Sequence, residues 1–260
     1  MPSKILLGTV LLEPHRWVNR TVPLVRASEW AARAAAAGFD GLELWENHWF
    51  RAEPAERAAL LAAPLPASVF NAYARFDQAA EEAALGEAIT AASQLRASSL
   101  KFNVGPAPGD AARLAASLSR FAGTGVRPRC ECHAGTWLET PESAAAFHAG
   151  SGAEPFDVIV HAFSLSPEEL SRWFSLLGPR ITGVHVQCRD EQGGWSGIAR
   201  HAARSRQALK VLAEQGFSGD FTLEFTAGTA AEGNDPEALW LAALEDLGFL
   251  KTELPRASVQ

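Results

Sequence analysis

VIVHAFSLSPEELSRWFSLLGPRITGVHVQ, residues 158–187, holds a strand, a helix and a second strand in one run. Val158-Ile159-Val160 leads into His161, and Ser166-Pro167-Glu168-Glu169 then opens a helix over 167–177. That tetrapeptide is a capping box with proline at the first helical position, where its missing amide hydrogen costs nothing. Ile181 begins the next strand, which runs to Gln187. Strands that alternate with helices pair in parallel, with the helices packed outside.

The same alternation extends in both directions. Strands are expected over 5–11, 41–45, 67–73, 99–104, 129–133, 156–161, 181–187 and 221–225. Helices are expected over 28–37, 54–62, 78–95, 110–121, 141–148, 167–177, 198–215 and 236–247. Thr140-Pro141 and Asp235-Pro236 repeat the cap-then-proline form, and Gly38, Gly216 and Gly248 are read as closing helices. Eight strand–helix pairs in 260 residues favour one closed (β/α)8 barrel, an α/β TIM barrel, over an open sheet. No Pro/Gly/Ser-rich linker divides the chain, so residues 1–260 read as a single domain with 251–260 as a peripheral tail.

Composition narrows the function. Hydrophobic residues make up 47% and charged residues 20%, as in an ordinary soluble globular protein. A net charge of −7 argues against a nucleic-acid partner, because phosphate backbones need a basic surface. No apolar stretch approaches the roughly 20 residues that span a bilayer, so no membrane partner is expected. The start of the chain does not read as a signal peptide. Cys130, Cys132 and Cys188 form no disulfide framework, which suits reduced thiols and a cytoplasmic setting. Cys130-Glu131-Cys132 is too tightly spaced for a usual zinc pair, and the two thiols read as small hydrophobes facing the helices.

Parallel strands covered on both faces should be nearly continuous apolar runs. Four strands in the second half depart from that near their C-terminal ends. Arg129-Cys130-Glu131-Cys132-His133 carries Glu131 and His133, and Val158-Ile159-Val160-His161 carries His161. Gly183-Val184-His185-Val186-Gln187 carries His185 and Gln187, and Phe221-Thr222-Leu223-Glu224-Phe225 carries Glu224. Each polar residue sits between apolar neighbours, so the apolar partners can face the helices while the polar ones face the barrel axis. One strand histidine is more often a hydrogen-bonded core residue than a ligand. Ionisable groups on four strands in succession converge instead on the C-terminal mouth, where barrel active sites lie. Buried unpaired, they would be costly. One divalent metal ion held by Glu131, His161, His185 and Glu224 resolves the cost, and two imidazoles favour Mn, Co, Fe or Zn over Mg.

These residues resemble a known family. Gly38-Phe39-Asp40-Gly41-Leu42-Glu43-Leu44-Trp45 is similar to the helix-to-strand signature of the xylose-isomerase-like barrel superfamily. That is the sugar phosphate isomerase/epimerase group, with ketose 3-epimerases, inosose dehydratases and endonuclease IV. Glu131-Cys132-His133 with Thr140-Pro141-Glu142-Ser143, His185 with Asp190, and Thr222-Leu223-Glu224-Phe225 match its later segments in order and spacing. The resemblance implies a metal held by Glu131, His161, His185 and Glu224. His161 stands where the family usually has Asp, and Ser164 where a His is common.

The implied activity is isomerisation or epimerisation of a sugar or sugar-like polyol through an enediolate. Glu131 and Glu224 would act as acid and base on opposite faces of the reacting carbon. A β-eliminating lyase or dehydratase of a keto-sugar or keto-polyol is the alternative. A metal-free ligand-binding barrel is a further one, resting on His161 alone. A DNA-repair endonuclease would need a basic rim, which the acidity opposes.

The remaining candidates for contact with a carbohydrate substrate are Lys101, His133, Gln187, Trp17, Trp45, Glu46 and Arg189. Asn47 and His48 follow Glu46 at the mouth, and Asn103 shares a strand face with Lys101. Trp49, Trp137 and Trp195 also fall at or after strand ends, whereas Trp30, Trp173 and Trp240 read as core. Arg189 and Arg200 suit a phosphate or carboxylate, and the 228–233 loop is a weaker phosphate candidate. No nucleotide fingerprint and no convincing Cys or Ser nucleophile is present. A homo-oligomer is compatible with the sequence.

Overall fold

The computed structural model describes residues 3–14, 16, 22–150, 156–231 and 235–257. Trp17 lies outside them, as do residues 232–234 of the 228–233 loop. The strands are β1 (Ile5–Gly8), β2 (Gly41–Trp45), β3 (Ala67–Arg75), β4 (Ser99–Asn103), β5 (Arg127–Glu131), β6 (Asp157–Val160), β7 (Ile181–Val186), β8 (Cys188–Arg189), β9 (Trp195–Ser196) and β10 (Asp220–Leu223). Eight of them close a barrel in the order β1-β10-β7-β6-β5-β4-β3-β2, every pair parallel. This is the (β/α)8 barrel read from the sequence. β8 and β9 form an unanticipated antiparallel hairpin above β7.

The helices are α1 (Ala27–Ala37), α2 (Glu46–Phe50), α3 (Pro54–Leu61), α4 (Glu82–Gln94), α5 (Ala111–Ser119), α6 (Pro141–Gly150), α7 (Pro167–Leu177), α8 (Ala202–Glu214) and α9 (Pro236–Ala257). The expected caps form. Ser166 and Glu169 close both bonds of the capping box. Thr140 Oγ1 accepts from the Ser143 amide at 3.2 Å, and Asp235 Oδ1 accepts from the Ala238 amide at 2.8 Å.

Strand alternation divides the interior in two. Leu42 and Leu44, Leu100 and Phe102, Val158 and Val160, Val184 and Val186 point outward into a core shared with the helices. Cys130 and Cys132 belong to that core, as the sequence suggested, and so do Trp30, Trp173 and Trp240. The residues between them point to the barrel axis. Gly183 is inward-facing, and a Cβ there would come within 2.9 Å of Ile159, so the glycine makes room for that side chain. Deeper still, Arg129 bridges the lumen to Asp220 at 3.0 Å.

Three expectations at element ends are corrected. The first strand stops at Gly8 and coils into a 3-10 turn, Thr9–Leu12. The turn brings Thr9 Oγ1 to the Trp45 amide (2.9 Å) and to His48 Nδ1 (2.9 Å), while Glu13 takes His48 Nε2 (2.8 Å). The fifth strand ends at Glu131, so His133 falls in the following loop. Gly248 does not close the last helix, which runs through it to Ala257. A helical glycine costs about 1 kcal/mol against alanine. Leu250 is buried, Leu254 packs on the core, and Glu253 pairs with Arg206 at 3.1 Å, so tertiary packing outweighs propensity. Residues 251–257 are therefore helix rather than tail.

Candidate active site

Glu131, the last residue of β5, is the hub of the barrel mouth. Its Oε1 lies 2.9 Å from His161 Nε2 and 3.2 Å from His185 Nδ1, and its Oε2 lies 2.5 Å from Lys101 Nζ. His161 sits one residue beyond β6 and His185 points inward from β7. Glu224 follows β10, its Oε2 3.1 Å from His185 Nδ1. One ligating atom from each of Glu131, His161, His185 and Glu224 can be chosen so that all lie within 4.8 Å of one another. The imidazoles of His133, His161 and His185 form a stepped stack, with centroids 6.2 Å and 5.7 Å apart.

A second layer holds this group in place. His185 Nε2 lies 3.1 Å from Glu43 Oε2, which leaves Nδ1 facing Glu131 and Glu224. Glu43 is fixed in turn by Asn71 Nδ2 at 2.7 Å and Thr222 Oγ1 at 3.1 Å. Gln187 Nε2 donates to Glu224 Oε2 at 3.0 Å. Asn103, with its amide turned to suit both neighbours, donates to Glu131 Oε2 and accepts from Lys101 Nζ, each at 3.2 Å. Lys101 Nζ also lies 4.7 Å from the centre of the Tyr73 ring.

The electrostatics follow from burying three carboxylates beside one ammonium. Burial pushes the Glu131 carboxyl up, but Lys101, His185 and bonds from both imidazoles outweigh it and hold Glu131 well below the usual carboxylate range. Glu224 is also lowered: burial opposes ionisation, and His185 overcomes it. For His185, burial disfavours the imidazolium, yet Glu43, Glu224 and Glu131 raise its pKa well above the ordinary value. Burial works against Lys101 as well, but Glu131 keeps it charged. Burial lifts the Tyr73 phenol to about 12.

Above this floor opens a cavity of about 1030 Å³. Trp45, Tyr73, Trp195 and Phe225 give it apolar walls, and Glu46, Asn103, His133, Gln187 and Arg189 add polar ones. Of the sequence candidates, Trp45, Glu46, His133, Gln187 and Arg189 therefore reach the cavity. Lys101 does not: it is 0% exposed and lies beneath Glu131, where it holds a carboxylate rather than a substrate. Trp49 and Trp137 pack in the outer core. Asn47 lines the cavity, whereas His48 turns away to Glu13 and Thr9. Burial raises Glu46, which accepts from the Tyr73 amide at 3.1 Å.

The sequence reading passed over Glu43, Asn71, Tyr73 and Thr222. Glu43 between Leu42 and Leu44, Asn71 between Phe70 and Ala72, and Thr222 between Phe221 and Leu223 show the same polar-among-apolar pattern that exposed the four candidate ligands. Extending that rule to every strand would have found these three; Tyr73, an aromatic between two alanines, carries no such signal.

Compared by sequence, the chain matches no family model and no curated protein. By structure it is similar to the probable 3-DHS dehydratase involved in petrobactin synthesis from Bacillus anthracis, with TM-score 0.73, 13% identity, and coverage of 95% of this chain and 98% of that one. It is also similar to a 3-keto-D-glucoside 4-epimerase from E. coli, with TM-score 0.67, 15% identity, and coverage of 96% and 99%. A xylose isomerase-like TIM barrel protein from Mycobacterium smegmatis, in complex with magnesium, gives TM-score 0.65, 13% identity, and coverage of 99% and 100%. At these identities the likeness is one of fold: the chain shares the (β/α)8 barrel with these structures over nearly its whole length.

Proposed function

We propose that this protein is an enzyme, a divalent-metal-dependent isomerase or epimerase of a sugar or sugar-like polyol, with Glu131 and Glu224 as its acid–base pair. The observation that carries the reading is the convergence of two carboxylates and two imidazoles, all within 4.8 Å, on the floor of a large cavity. The donor set fits an ion. Glu43 anchors the far nitrogen of His185, as an acceptor behind a metal-bound histidine does. Glu43, Glu131 and Glu224 bring three carboxylates to this floor against the single permanent cation Lys101, with His185 the only other group that takes up positive charge there. Bound by Glu131, His161, His185 and Glu224, a divalent ion such as Mn, Co, Fe or Zn would supply Lewis acidity to a carbonyl oxygen and the hydroxyl beside it.

The chain's own residues do the rest. Glu131 and Glu224 are both held in the ionised form, the state needed to accept a proton from a carbon or hydroxyl next to a carbonyl. They project from β5 and β10, separated in the barrel by β6 and β7, so they border the bound sugar from different sides. One takes a proton and the other returns one, which inverts a centre or moves the carbonyl. Lys101 and Asn103 fix Glu131, and Gln187 fixes Glu224, so each carboxylate keeps its aim. Trp45, Tyr73 and Phe225 give the cavity an apolar wall suited to the apolar side of a sugar. No helix among the described residues is long and apolar enough to cross a membrane, and the three cysteines are free, in keeping with a reducing compartment.

Two measurements test the reading together. Elemental analysis should find near one equivalent of Mn, Co, Fe or Zn in the wild type, and less in Glu224→Gln. With that ion present, a panel of ketoses and keto-sugars in D₂O should yield a substrate that takes up solvent deuterium beside its carbonyl, and either Glu→Gln variant should abolish the uptake. A product lighter by one water would move the assignment to the β-eliminating lyase. A wild type that binds no ion after reconstitution, with binding restored in His161→Asp, would replace the reading with a metal-free binding barrel.

A further inference from the structure

Many arginines on this acidic chain face carboxylates, and others, such as Arg57 on the Trp49 and Phe50 carbonyls, are spent on backbone oxygens. Arg33 pairs with Glu237, Arg172 with Glu142, Arg206 with Glu253 and Arg75 with Glu81. Two at the cavity mouth do not. Among the described residues, neither Arg189 nor Arg204 has a carboxylate partner. Both are nevertheless fixed in place. The Arg189 guanidinium lies 3.9 Å over the Trp195 ring and donates to Gly193 O at 2.5 Å. Arg204 donates to Arg189 O at 3.2 Å. The nearest acidic side chain in the sequence is committed elsewhere: Asp190 Oδ1 accepts from the amides of Gln192 (3.0 Å) and Gly194 (2.8 Å), closing the β8–β9 hairpin.

These two residues line the main cavity, and they also line a second recess of about 410 Å³ whose other walls include Arg200 and His201 on one hand and Asp190 and Glu191 on the other. The main cavity alone, about 1030 Å³, lies at the upper end of the roughly 300–1,000 Å³ usual for small-molecule sites. A sugar ring seated on the floor leaves space toward the hairpin. Both side chains are exposed, and backbone carbonyls and an aromatic face position the two planar forks, with no carboxylate paired to either among the described residues. That is the arrangement that recognises a carboxylate or phosphate through paired N–H donors.

We infer that the substrate bears an anionic group, a carboxylate or a phosphate, bound by Arg189 and Arg204 at the hairpin end of the cavity. The inference rests on the proposed function for the sugar framework, while the anion subsite stands on the two arginines. The test therefore uses ion-free full-length protein. Calorimetric titration compares D-glucose, D-glucuronate and D-glucose 6-phosphate on the wild type, Arg189→Gln, Arg204→Gln, the double variant and Arg172→Gln. At least one anionic sugar should bind tenfold or more tightly than glucose. The advantage should fall below threefold in the double variant and persist in Arg172→Gln, whose guanidinium lies outside both recesses. A preference for glucuronate or for the phosphate ester names the source of the charge. Equal affinity for all three sugars, no binding of either anion, or an advantage that survives in the double variant overturns the inference. Metal content and deuterium uptake are read separately, so failure of the isomerase reading leaves a distinct signature.

Discussion

Lys101→Met removes the ammonium under Glu131 and keeps a side chain of similar length. At 2.5 Å, with an effective dielectric constant of about 20, the Lys101–Glu131 attraction is worth about 7 kcal/mol before desolvation. Losing the lysine also recovers the cost of burying it, so the net destabilisation should be about 3–5 kcal/mol, as for other broken buried pairs. The loss should be specific to the ion-free protein. A divalent cation on Glu131 and Glu224 supplies the charge that Lys101 no longer gives, so the variant should gain more from the metal than the wild type does. At 100 times the dissociation constant, binding alone adds about 2.7 kcal/mol. Urea unfolding with and without saturating Mn or Zn measures both quantities. Equal stability of variant and wild type in ion-free buffer would refute the charge argument. A deficit that the metal leaves untouched would show that Lys101 and the cation do not share Glu131.

Two further outcomes follow. Glu43→Gln removes the carboxylate behind His185 Nε2 and should weaken metal affinity about 10- to 100-fold with the fold intact, measured by competition with a chromophoric chelator; unchanged affinity would mean that Glu43 does not orient a ligand. The His148 imidazole is pushed down from 6.5 to about 4 by burial and by Arg180. The folded state therefore binds fewer protons than the unfolded chain in that window, and stability is lost as pH falls from about 6.5 to about 4. The ring is half-buried, so solvent screening reduces the effect to about 1–2 kcal/mol. His148→Leu should flatten the corresponding stretch of the pH–stability curve, and parallel curves for the two proteins would refute the assignment.

The barrel was legible because its determinants are local. Ser166-Pro167-Glu168-Glu169 caps a helix whatever surrounds it, and Val158-Ile159-Val160 favours a strand by the shape of its side chains. The candidate ligands were legible for a related reason: Glu131, His185 and Glu224 break apolar runs at alternate positions, and strand geometry then dictates which face they occupy. His161 stood out by the same rule, although it and Glu224 each lie one residue past their strands. Local reading failed where distant contacts decide. Gly248 looked like a helix end, but Leu250 and Glu253 had partners elsewhere that carried the helix on. Lys101 shares the inward face with the substrate candidates, and only its depth beneath Glu131 shows that it serves a carboxylate. His48 follows Glu46 and Asn47 in sequence, yet its ring turns to Glu13 and Thr9.

The sequence by itself therefore determined the element order, the parallel pairing and the inward-facing polar set, since helix caps and strand alternation act over a few residues. Only the tertiary structure decided how those side chains are shared: that His185 is held between Glu43 and the Glu131–Glu224 pair, that Lys101 is sealed below them, and that Arg189 and Arg204 line one cavity. Each of those facts depends on residues from strands and loops far apart in the chain, brought within hydrogen-bond distance by the closure of the barrel, and no local rule can fix such distances.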